Sequence, residues 1–234
     1  MKYVTAYCAA LTAVAVLAAQ YAAFASRDVR RVKTLEFRGL NYLGRGEVLA
    51  GVNAAVDNGD IVIEMDGLKN SLKKNPMVRA FQFDERDGRL AVIVIENEPA
   101  YLVALVQNGK TIPVELDEKF RVISAYRAHA YDKPILICNA EMMAGGKPST
   151  RLIDLLCMLR DLKHRGLDVY REIAEIDATA YPVSVIRLRG RLTRFTMRLD
   201  RENLRTLNYM AGYCDERRRY PGDVQIYGER AVMK

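Results

Sequence analysis

The chain has 234 residues, about half of them apolar, and a formal net charge of +7. That length builds one large domain or two small ones, and the basic excess points to acidic surfaces or partners. The basic residues are spread along the chain, with local groups at Arg27, Arg30, Arg31 and Lys33 and at Arg217, Arg218 and Arg219. Nucleic-acid binding needs a basic face with stacking or groove-reading residues, and none is legible, so no nucleic-acid partner is expected.

Residues 3–25 carry no charge. As a helix they would reach roughly 35 Å, against a hydrocarbon core of about 30 Å. The expectation is a transmembrane signal anchor in the lipid bilayer, with Met1 and Lys2 as a cytoplasmic tail and residues 26–31 as a linker. A cleaved signal peptide competes with it, because Ala23-Phe24-Ala25 fits the small-residue cleavage pattern before Ser26. The length of the run favours the anchor and its alanine richness opposes it. A segment opening with a lysine delivers the downstream chain outward, although the basic group after it runs against the positive-inside rule.

Residues 32–38 alternate as a strand, with Leu35 and Phe37 on one face, and Gly39 and Asn41 break it. Val48, Leu49, Val52 and Val56 predict a helix over residues 47–56, followed by a turn at Asp57-Asn58-Gly59-Asp60. Asp66 is the expected N-cap of a second helix carrying Leu68 and Leu72, ended by Pro76. Two strands come next, over residues 78–83 and 90–95, joined through Asp87-Gly88. The second, Leu-Ala-Val-Ile-Val-Ile, is apolar on both faces, which suits a covered strand or an exposed face awaiting a partner. The expected unit over residues 32–100 is a three-stranded sheet with two helices on one face.

From residue 101 the pattern changes. An Asn108-Gly109 turn predicts a tight hairpin, and short strands are expected near residues 120–123 and 134–137. Ser149 or Thr150 caps a helix whose Leu152, Leu155, Leu156, Leu159 and Leu162 share one face, and Gly166 stops it. Strands are expected over residues 173–177, 183–188 and 193–199. Asp200 then caps a last helix with Leu204, Leu207, Ala211 and Cys214 inward, and residues 224–233 close the chain as a strand. The expected domain over residues 101–234 is a mostly antiparallel sheet with two helices across one face, so the whole is α+β.

Little in the chain points to chemistry. No phosphate loop, nucleophile elbow, zinc-protease helix or dinucleotide turn appears. Glu96 with Glu98, or Asp84 with Glu85 and Asp87, are the nearest paired carboxylates, and acids at turns and strand ends are ordinarily solvated. His164 suits the end of a helix better than a metal. The cysteines Cys8, Cys138, Cys157 and Cys214 form no Cys-x-x-Cys pair and lie far from His129. Buried free thiols are favoured, with a Cys157–Cys214 bridge as the alternative. No catalytic, cofactor or metal site is expected, and the chain is expected not to be an enzyme.

Three stretches carry a family resemblance. Leu68, Leu72, Asn75-Pro76 and Val78 form one; Leu90, Val92, Val94, Glu96, Pro99 and Ala100 the second; Asp223-Val224-Gln225-Ile226 with Ala231-Val232-Met233-Lys234 the third. With the apolar N-terminus they resemble the cell-division proteins of the FtsQ/DivIB family, which join a membrane anchor, a POTRA (polypeptide-transport-associated) module and a β-domain. The chain departs from that pattern in its short N-terminal tail, its lack of tryptophan, and Gln225 and Ile226 in the final motif. The resemblance implies a single-pass inner-membrane protein with its domains outside the cytoplasm at the division septum. It implies a scaffold that binds FtsB and FtsL along an edge strand of the β-domain, and other divisome proteins through the POTRA-like module. The implied partner-binding positions are Val224, Ile226, Tyr227, Arg230 and Val232. The alternative expectation is an exported POTRA-containing protein that binds polypeptides in transport.

Overall fold

The computed structural model describes residues 28–164 and 168–234, in two units, Met1–Glu96 and Asn97–Lys234. The transmembrane segment expected over residues 3–25 lies outside the described residues.

The first unit holds two small sheets. β1 (Val29–Val32), β3 (Ala54–Asp57) and β4 (Asp60–Glu64) form an antiparallel sheet in the order β1-β4-β3. β2 (Thr34–Arg38), β5 (Val78–Arg86) and β6 (Arg89–Glu96) form the other, in the order β2-β6-β5, with β2 parallel to β6. Both hairpins turn on two residues of positive φ, Asn58-Gly59 and Asp87-Gly88, the mirror-image turn that matches strand twist. Helix α1 (Arg45–Val48) is a single turn, and α2 (Met65–Lys74) buries Met65, Leu68 and Leu72. Leu90, Val92 and Val94 of β6 lie at the centre of this core. Gly39 has a φ of +79°, and a Cβ there would sit 2.2 Å from the Val94 carbonyl oxygen. Only glycine permits that approach. Glu96 holds the loop after Gly39: its carboxylate accepts the backbone N–H groups of Asn41, Tyr42 and Leu43 at 2.8–2.9 Å.

The second unit is built on one nine-stranded sheet in the order β17-β16-β15-β14-β13-β10-β7-β8-β9. Its strands are β7 (Tyr101–Gln107), β8 (Lys110–Leu116), β9 (Val122–Ala125), β10 (Ile135–Asn139), β13 (Ile173–Asp177), β14 (Val183–Leu188), β15 (Arg194–Arg198), β16 (Asp223–Tyr227) and β17 (Arg230–Met233). A two-stranded ribbon of β11 (Met143–Ala144) and β12 (Lys147–Pro148) lies beside it in sequence. The helices are α3 (Thr150–His164), the short α4 (Asp168–Glu172) and α5 (Arg201–Arg217). All five leucines of the α3 stripe are buried, as are Leu204, Leu207, Ala211 and Cys214 of α5. Apart from Cys214, they pack on Leu136, Cys138, Ile176, Ile186, Phe195, Met197, Val224 and Ile226 from one sheet face, in a single apolar cluster. The loop after β9 is tied to β8 by Glu115, fully buried, which accepts the His129 and Ala130 amides at 2.6 and 2.7 Å. Its other oxygen lies 2.7 Å from the His129 ring Nδ1.

This architecture corrects the expected one in several respects. The helix expected over residues 47–56 is only Arg45–Val48; Gly51, at a φ of +73°, comes after its end, and residues 54–57 enter a hairpin. The first unit therefore has two three-stranded sheets in place of one sheet under two helices. The second sheet is mixed: β7–β10, β10–β13 and β15–β16 run parallel, and it carries three helices where two were expected. For β10–β13 and β15–β16 the parallel pairing follows from a strand–helix–strand order, since a helical crossover returns the chain in its original direction; β7 and β10 are joined through β8 and β9 instead. None of the helices among the described residues is long and apolar enough to cross a membrane, and the span expected over residues 3–25 lies outside them. Asp66 also shifts in role, standing in the first turn of α2 after Glu64 at the cap position.

Candidate partner interface

The strand at one end of the large sheet is β17, paired on one side with β16. Its other side meets no strand among the described residues. The Lys234 N–H donates to the Asp223 carbonyl at 2.9 Å. In an antiparallel ladder such bonding alternates along the strand. Arg230 and Val232 therefore turn their backbone groups toward β16, while Ala231 and Met233 turn theirs outward. The open edge offers two N–H donors and two carbonyl acceptors.

The hairpin that presents this edge is fixed from beneath. β16 and β17 are joined by Gly228 and Glu229, and Gly228 has a φ of +62°. The Gly228 N–H donates to Asn203 Oδ1 at 2.6 Å, and its carbonyl accepts from Thr206 Oγ1 at 2.7 Å. Asn203 is itself buried. Its Nδ2 donates to the Arg198 carbonyl and to Asp200 Oδ2, both at 2.9 Å, and its backbone N–H is capped by Asp200 Oδ1 at 2.9 Å. One amide side chain thus joins the end of β15, the start of α5 and the final turn. A Cβ on Gly228 would lie 3.0 Å from Glu202 Oε1, so the turn sits close against the helix.

The five expected partner positions divide by face. Val224 and Ile226 are 0% and 1% exposed and belong to the core beneath α5, so an added chain cannot reach their side chains. Tyr227, Arg230 and Val232 lie on the opposite face and are exposed. Tyr227 donates through its hydroxyl to Gln225 Oε1 at 3.0 Å. Met233 shares the core side of the sheet with its partner Val224, yet is 41% exposed. Asn203 and Thr206 were not singled out in the sequence, and Met233 only as part of the final motif. The first was legible as the third residue after the Asp200 cap, and the turn as Gly-Glu between two alternating runs.

Three of the five carboxylates weighed for catalysis make structural contacts. Both oxygens of Glu96 bind backbone, Asp84 pairs with Arg86 at 3.0 Å, and Glu85 lies 3.6 Å from Arg30. His164 ends α3. Cys138 and Cys214 are buried and Cys157 is half-buried, all as free thiols; burial pushes the Cys138 thiol up to about 12. A cleft of about 400 Å³ beside the start of α3 has one carboxylate in its lining, Glu141, and neither histidine nor cysteine. Among the described residues no group of three or more histidine, cysteine and acidic side chains is placed to hold a metal ion.

No protein-family model matches the chain, and no curated protein matches it.

Proposed function

We propose that this protein is a non-enzymatic scaffold of the cell-division apparatus, of the FtsQ/DivIB type, which acts by lending the outer edge of β17 to another chain. The proposed partner is FtsB together with FtsL, and the proposed setting is the outer side of the inner membrane at the septum. The observation that carries the reading is the edge itself: a short strand, open on one side among the described residues and braced by Asn203 and Thr206. Unpaired backbone groups on a rigid edge accept an added strand without prior rearrangement.

The energetics define the partner's share. Four backbone hydrogen bonds contribute roughly 2–6 kcal/mol net at about 0.5–1.5 kcal/mol each, which is weak against the cost of association. Side-chain contacts have to supply the remainder. Tyr227, Val232 and Met233, exposed by 64%, 49% and 41%, are the apolar groups beside the edge that a partner would cover.

The test uses the alternation of the ladder. The Ala231 N–H points outward, so Ala231→Pro removes a donor to the partner while leaving the bonds to β16 in place. The variant is expected to remain folded, to lose FtsB/FtsL capture, and to fail to restore division in depleted cells. Depletion of the protein itself is expected to give filamentous cells. Cells that divide at normal length after depletion would remove the division role. A fully active Ala231→Pro protein would remove the edge as its means.

A further inference from the structure

One end of the large sheet gathers positive charge around an exposed apolar tip. The turn between β14 and β15 carries Arg189, Gly190, Arg191 and Leu192, and the end of α5 carries Arg217, Arg218, Arg219 and Tyr220. Asp215 draws the two together. Arg191 Nη2 lies 2.6 Å from Asp215 Oδ2, and the Tyr220 hydroxyl donates to Asp215 Oδ1 at 3.1 Å. Arg191 also reaches Glu172 at 2.7 Å, and the Arg194 N–H donates to the Gly222 carbonyl at 3.0 Å, aligning the two segments.

The acids here are largely occupied, and two of the arginines are not. Asp215 and Glu172 are taken by Arg191, and Asp223 by Arg194 at 2.9 Å. Glu216 remains exposed. Arg217 lies over the Tyr213 ring at 5.8 Å, and Arg189 donates to the Asp132 carbonyl. Arg218 and Arg219 are exposed and meet no acidic side chain among the described residues. Beside them Leu192 is 95% exposed and Tyr220 52%. A leucine held out at a turn, flanked by a tyrosine and unpaired arginines, suits neither a purely polar partner nor bulk water.

We propose that this tip docks on an anionic lipid bilayer, with Arg218 and Arg219 at the headgroups and Leu192 and Tyr220 at the acyl boundary. Arginines attract acidic lipid surfaces, tyrosine favours the interface, and a small apolar group gains by entering the hydrocarbon. An acidic chain without apolar side chains would answer the charges alone. The bilayer answers the charges and the leucine together. The inference is independent of strand addition at β17.

The chain contains no tryptophan, so Leu192→Trp makes a single reporter in the full-length protein, and Tyr227→Trp makes a control near the hairpin turn. Each protein is bound to vesicles of phosphatidylglycerol or phosphatidylcholine bearing brominated acyl chains, and tryptophan quenching is read. The expected result is quenching at position 192 on phosphatidylglycerol, at least several-fold weaker on phosphatidylcholine or after Arg218→Glu with Arg219→Glu, and little at position 227. Absence of quenching at 192, or quenching indifferent to lipid charge and to the two arginines, overturns the proposal. So does retention of the tip on polyglutamate, dependent on Arg218 and Arg219, without quenching on vesicles; that outcome assigns it to an acidic polypeptide. None of these outcomes bears on FtsB/FtsL capture.

Discussion

Asn203 and Gly228 are joined by a 2.6 Å hydrogen bond between the start of α5 and the last turn of the large sheet. The buried amide also satisfies the Arg198 carbonyl and Asp200, so removing it strands several polar groups at once. Asn203→Ala is expected to cost roughly 2–3 kcal/mol in urea unfolding. The Gly228 amide is expected to exchange its hydrogen faster than amides of β14. An unchanged midpoint and unchanged exchange would deny Asn203 its bracing role.

Gly39→Ala sets a Cβ against the Val94 carbonyl at 2.2 Å, at a φ of +79°. Neither the backbone angle nor the space tolerates it. A loss of roughly 2–4 kcal/mol is expected for the first unit. Gly109→Ala provides the comparison: its φ is also positive, but nothing lies within 4 Å of the added carbon, so its loss should stay near 1 kcal/mol. Equal losses at the two positions would mean that the close approach to β6 is unimportant.

Asp117 predicts an acid-sensitive turn. Burial pushes its carboxyl up, but N–H donation from the Arg121 backbone, the Arg121 guanidinium and the Lys119 backbone outweighs that and holds it below its ordinary 3.8. A depressed folded value stabilises the protein above the unfolded pKa, and the contribution is lost as pH falls through the folded one. Wild-type protein should therefore lose stability below about pH 4 more steeply than Asp117→Asn. Parallel acid unfolding curves would contradict this.

Thiol chemistry should separate the cysteines. The Cys138 thiol, raised to about 12 by burial, stays protonated and inaccessible in the folded protein. Burial likewise raises Cys214. Among the described cysteines only half-buried Cys157 should react with a maleimide before unfolding, as located by peptide mass. The neutral Cys138 thiol stabilises the fold fully below its unfolded pKa, and that contribution declines as pH rises through the window up to about 12. Rapid native labelling of Cys138 would show that β10 opens readily.

Glu115→Gln should loosen the loop after β9. One carboxylate oxygen accepts the His129 and Ala130 amides and the other faces the His129 ring; a carboxamide keeps one acceptor oxygen, loses the negative charge and puts an NH2 group where the second oxygen stood. A loss of about 1–3 kcal/mol is expected, with faster hydrogen exchange at Ala130. Wild-type protection at Ala130 would show that the loop is held by other contacts.

Much of the fold is local and could be read from residue order. The α3 leucines recur at helical spacing, Asp200 stands where a cap is needed, and Asn108-Gly109 and Asp87-Gly88 demand positive φ; each of these acts over a few residues. The helix expected after Glu47 failed because its apolar spacing was weighed above Asn58-Gly59, a turn that calls for a strand on either side. Parallel pairing of β15 with β16 was signalled by the helix between them but is a matter of which strands meet, which no local preference states. The open edge was decided only in three dimensions. Val224, Ile226, Tyr227 and Val232 look alike as apolar or aromatic residues of two short strands, and burial separates the first two from the others. The backbone groups of Ala231 and Met233 face outward because a non-local ladder to β16 consumes those of Arg230 and Val232. Composition supplied the groups, and strand pairing, which joins residues far apart in the chain, determined which remain unspent.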